Sequence, residues 1–169
     1  NYKSLRTDLK KLGCRFKTNG DTEVILKAYE QWGNECYKHF EGMYAILIID
    51  PLQNKFSLAR DRLGVKPLYI KTDKDNFYVA SEQKAILKIL DYKPILDHNS
   101  LLYYLNFQSV PTNKTLFKGI IKVPPGFVYE FNLKNRNFIG SKKISNKINK
   151  IDFNDYSEYS DFLYNEIIK

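Results

Sequence analysis

Cysteine, methionine and tryptophan are scarce in this chain of 169 residues, which holds two, one and one of them. Two cysteines, Cys14 and Cys36, are too few for a disulfide framework, and a cytoplasmic setting is the simplest reading. Long hydrophobic runs are missing as well. No apolar stretch approaches the roughly 20 residues a membrane helix needs, and the opening NYKSLRTDLKK is too polar for a signal peptide. The only histidines are His39 and His98. Cys36 and His39 stand three apart on an expected helix, but with no third ligand nearby they read as a partly buried thiol and a surface imidazole rather than a metal site. Acid is absent from residues 134–150, which carry Lys134, Arg136, Lys142, Lys143, Lys147 and Lys150. This stretch is rich in Ser, Asn and Gly and shows little apolar periodicity, so it is expected to belong to a solvated basic linker, residues 134–154. The net charge of +8 therefore does not argue for nucleic-acid binding, because no stacking motif or recognised binding fold accompanies it.

What is present is enough for a core: 43% hydrophobic residues, 13 tyrosines and 11 phenylalanines. The segment Gly42 to Glu82 reads as the sheet on which the rest is built. Met43 to Ile49 is nearly all apolar, which predicts a strand covered on both faces. Turns at Pro51–Asn54 and Asp73–Asn76 and a loop at Arg62–Lys66 separate further strands at 55–61, 67–72 and 77–81. The connections are too short for parallel crossovers, so a four-stranded antiparallel meander is expected. Before it, Tyr2, Leu5, Leu9 and Leu12 mark one helix, Cys14–Thr18 a short strand, and Val24, Ile25, Ala28, Tyr29 and Trp32 a second helix with Asp21 as its cap. A further helix spans about Asn34–Phe40. After the meander come a helix at 83–90, one at 101–107 capped by Ser100, and a strand at 127–133. A helical pattern restarts at Asp155, with Tyr156, Tyr159, Phe162 and Leu163 on one face. Its unpartnered apolar face, and a first helix that starts at once, give the chain the look of an interior piece of a longer protein.

The runs GDTEVILKAYEQWG, FEGMYAILIID, LARDRLGVKPLYI and FYVASEQKAIL, with the later TLFKGIIKVPPGFVYEF, resemble in order and separation the glutaminase domain of the glutamine-hydrolysing asparagine synthetase family. The resemblance covers residues 1–133 and implies an α+β fold of the N-terminal nucleophile hydrolase type, a four-layer α/β/β/α sandwich of antiparallel sheets, incomplete in this chain. It implies that residues 155–169 open a synthetase domain. The family's chemistry is attack by an N-terminal cysteine on the side-chain amide of glutamine, with ammonia passed internally to aspartate activated by ATP and Mg. Glutamine, aspartate and ATP are thus the implied small-molecule partners, without nucleic acid or membrane, and the resemblance allows a homodimer.

Residue by residue, the resemblance assigns Asp21 to the carboxylate that holds the α-ammonium of glutamine, since a fixed negative charge selects a free amino acid. Met43 and Val65 resemble residues lining the ammonia passage, against the plainer reading of Met43 as core. Arg60-Asp61, Gly64 and Pro67 match the family's loop pattern and are expected to be structural. The family's nucleophile is residue one of the mature protein and is followed by a segment ending Asn-Gly-Glu-Ile-Tyr, of which Asn1-Tyr2 resembles the immediate continuation; with neither that segment nor the synthetase signature Ser-Gly-Gly-x-Asp-Ser among them, residues 1–169 alone are expected to be inactive. Two alternatives stay open: an amidotransferase of the same architecture acting on another carboxylate, as in surface-polysaccharide synthesis, and a non-catalytic binding or assembly module.

Overall fold

Leu5 and Leu9 stand one helical turn apart, and both are buried in α1, Tyr2–Lys11, whose last turn carries Lys10 and Lys11 where the helix dipole favours cations. The same spacing puts Val24 and Ala28 on the buried face of α2, Asp21–Trp32. A 3-10 helix, Gly33–His39, follows and buries Cys36 and Tyr37. Strands β1, Ala45–Asp50, and β2, Lys55–Arg60, come next, then β3, Tyr69–Thr72, and β4, Phe77–Ala80. Helices α3, Gln83–Ile89, and α4, His98–Phe107, lead to β5, Ile120–Lys122, β6, Phe127–Asn132, and β7, Phe138–Lys143; α5 spans Tyr156–Ile168. This computed structural model describes residues 1–73, 76–144 and 155–168.

The strands form two antiparallel sheets, ordered β1-β2-β6-β7 and β4-β3-β5. One core lies between the helices and the first sheet, where Leu9, Val24, Ala28, Tyr37 and Phe40 meet Ile46, Ile48, Ala59 and Val128. The second lies between the sheets, with Phe56, Leu58 and Phe131 against Leu68, Ile70 and Val123. Stacked rings reinforce it, Phe56 and Phe131 having centroids 5.1 Å apart. Each such side chain, fully buried, contributes on the order of 1.5–3 kcal/mol. On the second sheet, α3 packs along β4 and buries Ile86. The α+β, two-sheet architecture is therefore the one the resemblance implies.

Several expectations change in detail. The four strands of Gly42–Glu82 do not form one meander: β1 and β2 belong to one sheet, and β3 and β4 to the other. Antiparallel pairing survives, but the loop after β2 carries the chain across the sandwich. Nor is β1 covered on both faces. Among the described residues it is an edge strand, with Ile46 and Ile48 buried but Leu47 and Ile49 44% and 55% exposed, lining an open cavity with Phe77 and Val79 of β4. Cys14–Thr18 forms no strand. The cap of α4 is Asp97, whose carboxylate accepts from the Ser100 amide at 2.9 Å, rather than Ser100. The expected linker, 134–154, starts instead with a turn and β7, which hydrogen-bonds along β6. The basic side chains remain solvated there because β7 is an exposed edge, a place where lysines deter further pairing. Residues 145–154 lie outside the described residues.

The crossing between sheets rests on Arg60 and Asp61, which are 6% and 1% exposed. The Arg60 guanidinium donates to the carbonyls of Lys66 at 2.7 Å, Val123 at 2.8 Å and Gly64 at 2.6 Å. Asp61 accepts from the amides of Val65 and Lys66, both at 2.9 Å. Burial opposes its charge, but those amide bonds outweigh it and hold the carboxyl below its ordinary range. Gly64 sits at φ +66°, and a Cβ there would lie 2.7 Å from Pro125 Cγ, so only glycine fits. The Asp61 amide also donates to the Tyr44 carbonyl at 3.0 Å, while the buried Tyr44 hydroxyl finds no hydrogen-bond partner among the described residues.

Two substitutions test this reading with opposite signs. Arg60→Met leaves three carbonyls without a donor and should destabilise by about 3 kcal/mol in urea unfolding; a change within error would show that the loop stands without it. Tyr44→Phe removes an unpaired buried hydroxyl and should be neutral or stabilising by up to about 1 kcal/mol. A clear loss of stability would mean the hydroxyl has a partner.

Candidate functional site

Asp21 opens α2 behind the segment 17–20, and that segment is fixed by two charged side chains. The Glu23 carboxylate accepts from the amides of Lys17 at 2.7 Å and Thr18 at 2.6 Å, and from the Thr18 hydroxyl at 2.6 Å. The Thr18 hydroxyl bond, with the Lys17 amide next, holds Glu23 down at about 2. Arg6 reaches from α1 to donate to the carbonyls of Thr18 at 2.6 Å and Gly20 at 2.9 Å, its guanidinium lying 4.5 Å from the centre of the Phe16 ring. Glu23 and Arg6 are thereby committed to backbone. Asp21 is not: it is exposed, and the cap position belongs to Gly20. The expectation that Asp21 caps the helix is thus corrected, and its carboxylate makes no hydrogen bond or ion pair among the described residues.

Asp21 is among the residues that line a cavity of about 200 Å³, whose other walls include Asn1, Tyr2, Leu5, Glu41, Gly42 and Met43. A second cavity, of about 410 Å³, is lined by Asp61, Arg62, Leu63 and Val65. The two share a wall, Phe40 to Tyr44. Of the residues expected from sequence, Asp21 and Met43 therefore line the first cavity, and Met43 and Val65 the second. Met43 precedes β1 and is 63% exposed, so it is not a core residue. Val65 is 50% exposed and held by its amide bond to Asp61. Apolar surface predominates over polar along both cavities.

The shared wall includes residues that sequence reasoning passed over. Glu41 and Gly42 read only as a connection into β1, yet Gly42, at φ +125°, shapes the wall between the cavities. Tyr44 lies on both cavities, and burial pushes its hydroxyl up to about 12, against the pull of the nearby Arg62 cation. Asn1 binds this segment through its side chain, Nδ2 donating to the His39 carbonyl at 2.9 Å and Oδ1 accepting from the Glu41 amide at 3.0 Å. Cys36 and His39 are not brought together as a pair. The thiol is fully buried in the helical core, which pushes it up to about 12, and His39 stacks on Trp32 with ring centroids 4.1 Å apart.

Comparison with known proteins bears on this arrangement directly. Residues 1–141 match the glutamine amidotransferase domain family. Asparagine synthetase [glutamine-hydrolyzing] 1 of Bacillus subtilis is 38% identical over 126 residues, 75% of this chain and 20% of its own length. The third such enzyme of the same organism is 35% identical over 138 residues, 81% of this chain and 22% of its own. The chain thus spans about a fifth of the length of the curated relatives it matches. Among solved structures, the glutamine phosphoribosylpyrophosphate amidotransferase of B. subtilis superposes with a TM-score of 0.58 at 24% identity, over 88% of this chain and 28% of that one. That similarity speaks to the fold. Together with the family match across most of its length, it means that this chain belongs to the glutamine amidotransferase domain family.

Proposed function

We propose that the chain is part of a glutamine-dependent asparagine synthetase and carries one side of its glutamine pocket together with the start of its ammonia passage. The observation that carries this is the pair of cavities with a common wall, one bearing an uncommitted carboxylate and the other lined largely by apolar groups. In the first, Asp21 pairs with the α-ammonium of free glutamine. A side chain whose hydrogen-bonding capacity is already spent could not do so, and Glu23 is in that position. The relatives' printed names, glutamine-hydrolysing asparagine synthetases, support the choice of substrate.

Hydrolysis of the side-chain amide turns glutamine and water into glutamate and ammonia. The family's nucleophile is a cysteine, and no residue described in this chain is assigned that role. What these residues contribute is positioning and exclusion of water. Ammonia set free in water takes up a proton and ceases to be a nucleophile. An apolar route past Met43 and Val65 keeps it neutral until it meets an activated carboxylate. ATP and Mg supply that activation of aspartate elsewhere in the protein, and no residue of this chain is assigned to them. Helix α5 is read as the opening of that synthetase portion. No described helix is long and apolar enough to cross a membrane, and a cytoplasmic enzyme, as a homodimer, fits the reading.

In the full-length enzyme, Asp21→Asn should raise the KM for glutamine at least about tenfold, since it removes a charge-assisted pair. Synthesis from added ammonium should be unchanged. Equal loss of both activities would mean that Asp21 serves folding only, and an unchanged KM would place the α-ammonium elsewhere.

A further inference from the structure

Asn1 occupies the cap position of α1, where an asparagine ordinarily turns its side chain onto its own helix. Here it does not: the side chain makes no capping hydrogen bond. The start of α1 is served by the Asn1 carbonyl, which accepts from the Leu5 amide at 3.2 Å and the Ser4 hydroxyl at 2.8 Å. The side-chain amide spans instead to residues 38 and 40 positions away, donating to His39 and accepting from Glu41. One planar group therefore supplies both a donor and an acceptor to the entrance of the wall, Phe40 to Tyr44, that the two cavities share.

The other end of that wall is tied by Asp61, whose amide donates to the Tyr44 carbonyl. Between the two ties the ring of Phe40 is buried edge-on against Tyr37 and Tyr44, with centroids 5.7 and 5.9 Å away. Glu41, Gly42 and Met43 are exposed, and among the described residues these anchors flank them on either side. Their main chain decides where the glutamine-binding cavity ends and the passage begins.

We propose that Asn1 is a positioning residue for glutamine use: its side chain latches the 39–41 segment so that the wall between the Asp21 cavity and the Val65 cavity keeps one shape. The inference rests on the functional reading above and adds to it a residue whose side chain acts through the main chain of the wall it binds. Loss of the latch lets the wall move, which misplaces glutamine and opens the passage to water. Two costs follow: slower glutamine hydrolysis, and ammonia lost to solution instead of delivered.

The test uses the full-length enzyme with Asn1→Ala and Asn1→Ser. Serine is as good a helix cap as asparagine but cannot bridge His39 and Glu41 together. Measured are glutamate formed, free ammonia released per glutamate, synthesis from added ammonium, and the thermal midpoint. Both variants should lose roughly tenfold or more in kcat/KM for glutamine and release more free ammonia per glutamate. Synthesis from ammonium should be retained and the midpoint of Asn1→Ser little changed. Recovery of wild-type glutamine use and coupling by Asn1→Ser would overturn the latch, because capping would then be all that Asn1 does. Variants indistinguishable from an active wild type would overturn it too. A wild-type protein unable to hydrolyse glutamine would remove the functional reading and the latch together, and so tells the two failures apart.

Discussion

A guanidinium buried between two sheets holds this structure in the form its site requires. Among the described residues Arg60 has no acidic partner; it is satisfied by carbonyls of Gly64, Lys66 and Val123, drawn from two separate stretches of chain. Such a charge is costly to bury unless its donors are met, so the loops that meet them are fixed in place. Asp61, next to it, turns the opposite sign of charge onto the amides of the same loop. The two neighbours thus line the point where the chain leaves one sheet for the other, and Val65 inherits its position from them. The tie from Asp61 back to Tyr44 extends that order to the wall between the cavities.

On the other side of the wall, order comes from a different set of charges. Glu23 and Arg6 fasten residues 17–20, while the Asp21 carboxylate makes no hydrogen bond or ion pair among the described residues. The division is informative: two charged side chains meet backbone needs, and the third faces a cavity. Hydrogen bonding separates Asp21 from Glu23, although the two stand only two residues apart in sequence.

The strand and helix pattern was largely legible, because apolar spacing reports burial directly, as at Leu5 and Leu9 or Val24 and Ala28. Sheet membership was not. Short connections establish that β1 to β4 run antiparallel, but the loop at 61–68 is long enough either to turn back or to cross, and buried Arg60 decides for crossing. Strand β7 escaped notice because an edge exposed on both faces needs no alternation of polar and apolar residues. Asp97 and Ser100 are both good caps, so only geometry separates them. At the site, Asp21, Met43 and Val65 came from resemblance to a family, as exposed positions leave no trace in periodicity. The Asn1 latch had no signal at all, because a side chain bound to main chain 38 and 40 residues away imposes nothing on the residue types it meets.

The central claim is that the Asp21 carboxylate receives the α-ammonium of glutamine beside the wall that leads toward Val65. It is tested most directly by a crystal structure of the full-length enzyme with its N-terminal cysteine alkylated by a glutamine analogue. The account predicts the analogue's ammonium within hydrogen-bonding distance, about 3 Å, of Asp21, in the cavity lined by Asn1 and Met43. An ammonium paired with another carboxylate, or an analogue lying outside that cavity, would contradict it.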